Sequence, residues 1–118
     1  MSRPHPIIGE LVQFEEPHWP SLERLVGLEL ASGFMWMSEL RLDDGTRVDA
    51  YKHINTRRYL HLSPSGEAFG YEPPGLYRPL VLSDAIELAF YGWQRVGARP
   101  EDLDLVDDAV RLAASRGG

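Results

Sequence analysis

The chain has 118 residues, of which 43% are hydrophobic and 25% charged, the size and balance of one compact domain with its own core and not of a disordered or fibrous chain. Twelve Lys and Arg against eighteen Asp and Glu leave a net charge of −6, which disfavours nucleic acid and anionic membranes as partners and favours neutral or basic ones. There is no cysteine, which rules out disulfides, thiol catalysis and thiolate metal sites, and no basic start followed by an apolar run reads as a signal peptide or membrane span.

Residues 1–20 carry Pro4, Pro6, Pro17 and Pro20 around Ile7–Phe14 and are expected to form an irregular arm with at most one short strand, leaving His5 and His18 exposed. Over 21–32, Ser21 follows Pro20 as a cap, and Leu22, Leu25, Val26 and Leu28 recur at helical spacing up to Gly33.

Phe34–Leu42 and Thr46–Ile54 alternate on the strand period across Asp43-Asp44-Gly45, which predicts a hairpin. A three-residue loop with Gly45 left-handed pairs Leu40 with Val48 and Ser38 with Ala50, keeping apolar residues together. An Asn55-Thr56-Arg57 turn then sets His53 opposite Tyr59 and Arg58 opposite Ile54. Pro64-Ser65-Gly66 joins Arg57–Leu62 to Glu67–Tyr71 and pairs Leu62 with Ala68 and His61 with Phe69. The result is a four-stranded antiparallel meander over 34–72.

After Pro73-Pro74-Gly75, Ser83 begins a helix carrying Ile86, Ala89, Phe90, Trp93 and Val96, and Pro100-Glu101-Asp102 begins a last helix with the stripe Leu103, Val106, Val110 and Ala113. The expected fold is therefore α+β: a single domain, 1–118, in which the meander is flanked by one N-terminal helix and, over 83–115, two C-terminal helices.

Those registers place Phe34, Trp36, Leu40, Leu42, Val48, Ala50, Ile54, Leu60 and Leu62 on the core face, with Trp36 buried against Phe90 and Trp93. The opposite face collects Met35, Met37, Tyr51, His53, Tyr59, His61, Phe69 and Tyr71, with Arg41, Arg47 and Arg57 towards its ends. Such an aromatic and Met face is either roofed by helices or an open platform for a protein partner or a second copy. A non-catalytic protein-binding or dimerisation module is the leading expectation, with no cofactor and no metal. The acidic last helix is the other candidate contact.

The densest functional run is Lys52–Leu62. His53, Arg57, Arg58, Tyr59 and His61 together are the set from which a metal-independent nuclease or phosphate-ester enzyme is built, one imidazole as base, the other as acid, and guanidinium on the phosphate. That chemistry requires both imidazoles on one site. A metal site would need a third ligand, for which Asp49 is the only carboxylate at hand. Gly66–Tyr71 echoes an RNA-recognition strand, but the element order is not that fold's.

Eleven of the twelve cations are arginine and only Lys52 is lysine, the codon signature of a GC-rich bacterium, and the expected compartment is the cytoplasm. Phe34-Met35-Trp36-Met37 followed by Lys52-His53 and Thr56-Arg57-Arg58-Tyr59-Leu60-His61-Leu62 resembles a family of small uncharacterised proteins from GC-rich, actinobacterial-type bacteria. The resemblance covers roughly 34–72 and implies no activity, only that the meander is the part that matters.

Overall fold

The computed structural model describes residues 5–6 and 16–116. The expected strand within Ile7–Phe14 lies outside the described residues. Those described form an α+β fold with strands β1 (His5–Pro6), β2 (Phe34–Arg41), β3 (Arg47–His53), β4 (Tyr59–Leu62), β5 (Ala68–Glu72) and β6 (Leu76–Leu80). The helices are α1 (Pro20–Val26), α2 (Leu28–Ala31), α3 (Leu82–Ala89) and α4 (Pro100–Ser115), with a 3-10 turn at Trp93–Arg95. One antiparallel sheet runs in the order β1-β6-β5-β4-β3-β2.

The meander is thus one strand longer than expected, and β1 pairs with its far edge. The added strand, Leu76–Leu80, lies between the Pro73-Pro74-Gly75 break and α3 and carries Pro79 opposite Phe69. Ser63 N–H donates to Glu67 O, and ladder alternation from there turns Phe69's own N–H and C=O towards β4. Pro79 therefore sits where β5 asks it for no N–H, a position a strand proline tolerates.

Two local features decide what each sheet face carries. The hairpin loop at Gly45 (φ +87) pairs Leu40 with Val48 and Ser38 with Ala50 as expected. Beyond it a bulge between Trp36 and Ser38 leaves Met37 as an extra residue, so Trp36 pairs with Tyr51 and Phe34 with His53. The β3–β4 connection is four residues, Ile54–Arg57, and not three: His53 N–H donates to Arg58 O at 2.9 Å, and Lys52 pairs with Tyr59, Tyr51 with Leu60 and Ala50 with His61. His53 therefore does not face Tyr59, nor Ile54 Arg58.

The consequence is an exchange of faces. Phe34, Tyr51, Leu60 and Leu62 are buried under the helices with Leu22, Leu30, Ile86, Phe90 and Trp93. Leu40, Leu42 and Val48 leave the helix side and form a second cluster with Phe69 and Tyr77. Trp36 stays on the helix side, only partly buried.

The helices also depart from expectation in detail. Gly27, at φ +87, divides the expected 21–32 helix into α1 and α2. α3 starts after Val81 and ends at Ala89, so Phe90 and Trp93 pack from the turn that follows, through Gly92 at φ +81.

A charged corner closes the helix-side face next to Trp36. Glu39 and Asp49 are cross-strand partners, both fully buried. Arg47 spans them, with Nε and Nη2 donating to Asp49 at 3.1 and 2.9 Å and Nη1 lying 3.4 Å from Glu39. Arg41 Nε is 2.5 Å from Glu39, and the Trp36 indole N–H donates to Asp49 at 2.7 Å. Arg47 also donates to Glu16 O at 3.1 Å. His18 is half-buried, not exposed as expected, and its carbonyl accepts the Tyr51 hydroxyl.

Two buried carboxylates left without their shared cation are far costlier than a lost surface pair. Arg47→Ala is expected to lower stability by about 3–5 kcal/mol in chemical denaturation. Breaking the exposed Arg78–Glu72 pair with Arg78→Ala should change it by less than about 1 kcal/mol.

Candidate functional site

The sheet brings together only part of the expected surface. Met35, Lys52 and Tyr59 form one cross-strand row, and Ala50, His61 and Phe69 form the next, on the face away from the helices. Tyr71 pairs with Tyr77 on the same face. Tyr51 and His53 are not there: each is fully buried among the helices, because the four-residue loop shifts β3 by one position against β4.

His53 is a structural residue. Its ring lies 5.0 Å from Phe34, 5.2 Å from Phe90 and 4.7 Å from Trp93, and burial lowers its pKa. Its Nδ1 accepts the N–H groups of Asn55 and Thr56, both at 3.2 Å. Thr56 Oγ1 in turn donates to Ala89 O, and the Trp93 indole donates to Asn55. These bonds hold the loop at four residues and leave Arg57 at φ +64. A Cβ at Gly33 would lie 3.1 Å from His53 Nε2, so glycine there makes room for the imidazole.

Arg57 and Arg58 are both exposed. Arg58 lies over the Tyr91 ring at 4.9 Å and its Nε donates to Tyr91 O. His53 and His61 point to opposite faces of the sheet, so the imidazoles cannot reach one phosphate as acid and base. Among the described residues no group of three or more His, Cys, Asp or Glu could hold a metal ion.

What the second face does present is a chain of rings. Tyr59 stacks on His61 at 5.6 Å, His61 meets Tyr77 edge-on at 5.2 Å, and Tyr77 meets Tyr71 at 5.4 Å. The inner two are buried, while Tyr59 is 43% and Tyr71 51% exposed. Lys52 Nζ sits 5.5 Å from the centre of the Tyr59 ring, a cation–π contact. Met37, the bulge residue of β2, is exposed as well. Tyr77 joins the row from β6, a strand not among the four expected from the sequence.

The pairing of β4 with β5 stops at His61 opposite Phe69, although β3–β4 continues to Tyr59 and β5–β6 to Glu72. A cleft of about 190 Å³ opens where the two strands part, lined by Tyr59, Leu60, Gly70, Tyr71, Leu80 and Leu88. Leu80 fills the space a side chain on Gly70 would need, its Cδ1 lying 3.0 Å from an ideal Cβ there.

Burial pushes the His61 pKa down from 6.5 to about 4. Between those values the unfolded chain binds the proton and the folded chain does not, so stability rises with pH through the window and is lost as pH falls from about 6.5 to about 4. The full loss from this group is on the order of 3 kcal/mol. Urea denaturation at a series of pH values should show that slope, and His61→Phe, which keeps a ring against Tyr59 and Tyr77, should flatten it.

No helix among the described residues is long and apolar enough to cross a membrane. In comparisons with known proteins, no family model, curated protein or solved structure matches the chain.

Proposed function

We propose that this protein is a non-catalytic protein-binding module whose contact surface is the aromatic end of the second sheet face. Tyr59 and Tyr71 form the exposed contact, backed by His61 and Tyr77 and flanked by Met35 and Met37. The observation that carries the reading is the ring row itself. Its outer tyrosines are exposed while the inner His61 and Tyr77 are buried and hold them in place. Tyrosines fixed in this way present contact area at small entropic cost, which is why such residues anchor protein interfaces. With Tyr51 and His53 in the core, the surface is smaller than the sequence suggested and gathers at one end of the sheet.

Separating the two histidines removes the acid–base pair on which a nuclease or phosphate-ester enzyme would depend, and the exposed arginines alone do not move protons between a nucleophile and a leaving group. A binding role asks nothing of His53 and uses His61 only as an uncharged ring.

A photoreactive amino acid placed at position 71, with the same group at Leu112 on the exposed face of α4 as control, tests the reading in cells. Protein adducts are expected at position 71 in clear excess over position 112. Adducts joining two copies would make the partner a second copy of this chain, and adducts to another polypeptide would make it a foreign protein. Equal or absent labelling at the two positions overturns the proposal.

A further inference from the structure

The cleft between β4 and β5 is more than a gap in packing. Ladder alternation from Ser63–Glu67 makes His61–Phe69 a hydrogen-bonded pair, and the next such pair would be Tyr59–Tyr71. Those two residues are not paired with each other. Both line the cleft, and by the same alternation their main-chain groups on the facing sides are the ones an extended chain entering it would pair with. Behind them Leu60, Leu80, Ala85 and the half-exposed Leu88 line the helix side, and Phe69 with the His61 ring lines the other. No carboxylate lines the cleft. At the Tyr59 edge of its rim Lys52 lies against the Tyr59 ring and exposed Arg57 precedes it by two residues, while Arg58 turns to Tyr91; at the far edge exposed Glu72 is held by Arg78 and exposed Asp84 stands one turn before Leu88. On a chain of net charge −6 the Tyr59 edge, with Lys52 and Arg57, is the cationic side of the cleft.

We infer that the cleft receives an acidic, extended peptide segment, one apolar side chain entering between Leu60, Leu80 and Leu88 while its main chain pairs with Tyr59 and Tyr71 and its carboxylates face Lys52 and Arg57. The inference rests on the protein-binding reading and names the chemistry of the partner. Main-chain pairing supplies affinity, the apolar pocket selects the inserted residue, and the cationic edge selects the charge beside it. His61, which lines the cleft from the other face and is uncharged near neutral pH, adds no positive charge to it.

The test is a titration of the ¹⁵N-labelled full chain, followed by amide shifts, with three probes: acetyl-Asp-Leu-Asp-amide, acetyl-Lys-Leu-Lys-amide and the first peptide methylated on the leucine nitrogen. The acidic peptide is expected to move the Tyr59, Tyr71 and Leu80 amides at millimolar concentration, with the basic and methylated peptides weaker by about fivefold or more. Lys52→Glu should remove the preference for the acidic peptide. Leu88→Gln, at a half-exposed helix position, should abolish the shifts while leaving the thermal melt unchanged. Equal binding of the acidic and basic peptides, undiminished binding of the methylated one, shifts mapping elsewhere, or no binding of any probe overturns the inference. Photo-crosslinks at position 71 together with a failed titration leave the binding module standing and refute only this mode of capture; absent crosslinks refute the module itself.

Discussion

Side chains of a strand alternate between faces with a period of two, so one extra residue on either side of β3 changes which of them the helices receive. Met37 is such a residue in β2, and Ile54–Arg57 contributes another in the loop after β3. Together they turn Phe34, Trp36, Tyr51 and His53 to the helix side, leaving Leu40, Val48, Ala50 and His61 on the other. The helix-side core, with its ring cluster of Phe34, His53, Phe90 and Trp93, exists because both irregularities are present. Removing only one would put β2 and β4 in conflict across β3.

Glu39 and Asp49 follow from the same arithmetic. On the helix-side face they would be a liability, two fully buried carboxylates directly opposite each other. Arg47 and Arg41 turn them into a neutral cluster, and the Trp36 indole takes one of the remaining acceptor positions. Through Glu16 O and the Tyr51–His18 bond, the chain before α1 is fastened to the same corner. The corner thus joins the N-terminal approach, the β2–β3 hairpin and the edge of the aromatic core.

Legibility in the sequence tracked the residues that carry conformational information. Gly45 marked the first hairpin, Gly66 the third turn, and both registers follow from them. The bulge left no mark, because Met37 lies within Phe-Met-Trp-Met, where every residue is apolar and either face accepts it. The loop after β3 was misjudged because its left-handed residue is Arg57, where glycine or asparagine is the usual signal. Its length is set by tertiary bonds from His53, Thr56 and Asn55 that no local pattern reveals. Tyr59, His61, Phe69 and Tyr71 were placed on a common face because β4–β5 depends on Gly66 alone. The side that Tyr51 and His53 take depends on the loop, and so it does not follow from their own strand.

Gly33 and His53 illustrate a consequence for how this chain can diverge. The glycine carbonyl accepts Ile54 N–H, and its bare Cα is what lets the imidazole lie alongside. The two positions are therefore locked in volume: any side chain at 33 presses on the ring at 53, which at the same time caps the loop that sets the register of β4. Substitutions at these positions should be inherited as a pair, with a larger residue at 33 tolerated only beside a smaller one at 53. A smaller residue at 53 would give up the bonds to Asn55 and Thr56 and free the loop to change length. A lineage that altered this pair could thus exchange which residues of β4 face outward without changing a single residue of that strand.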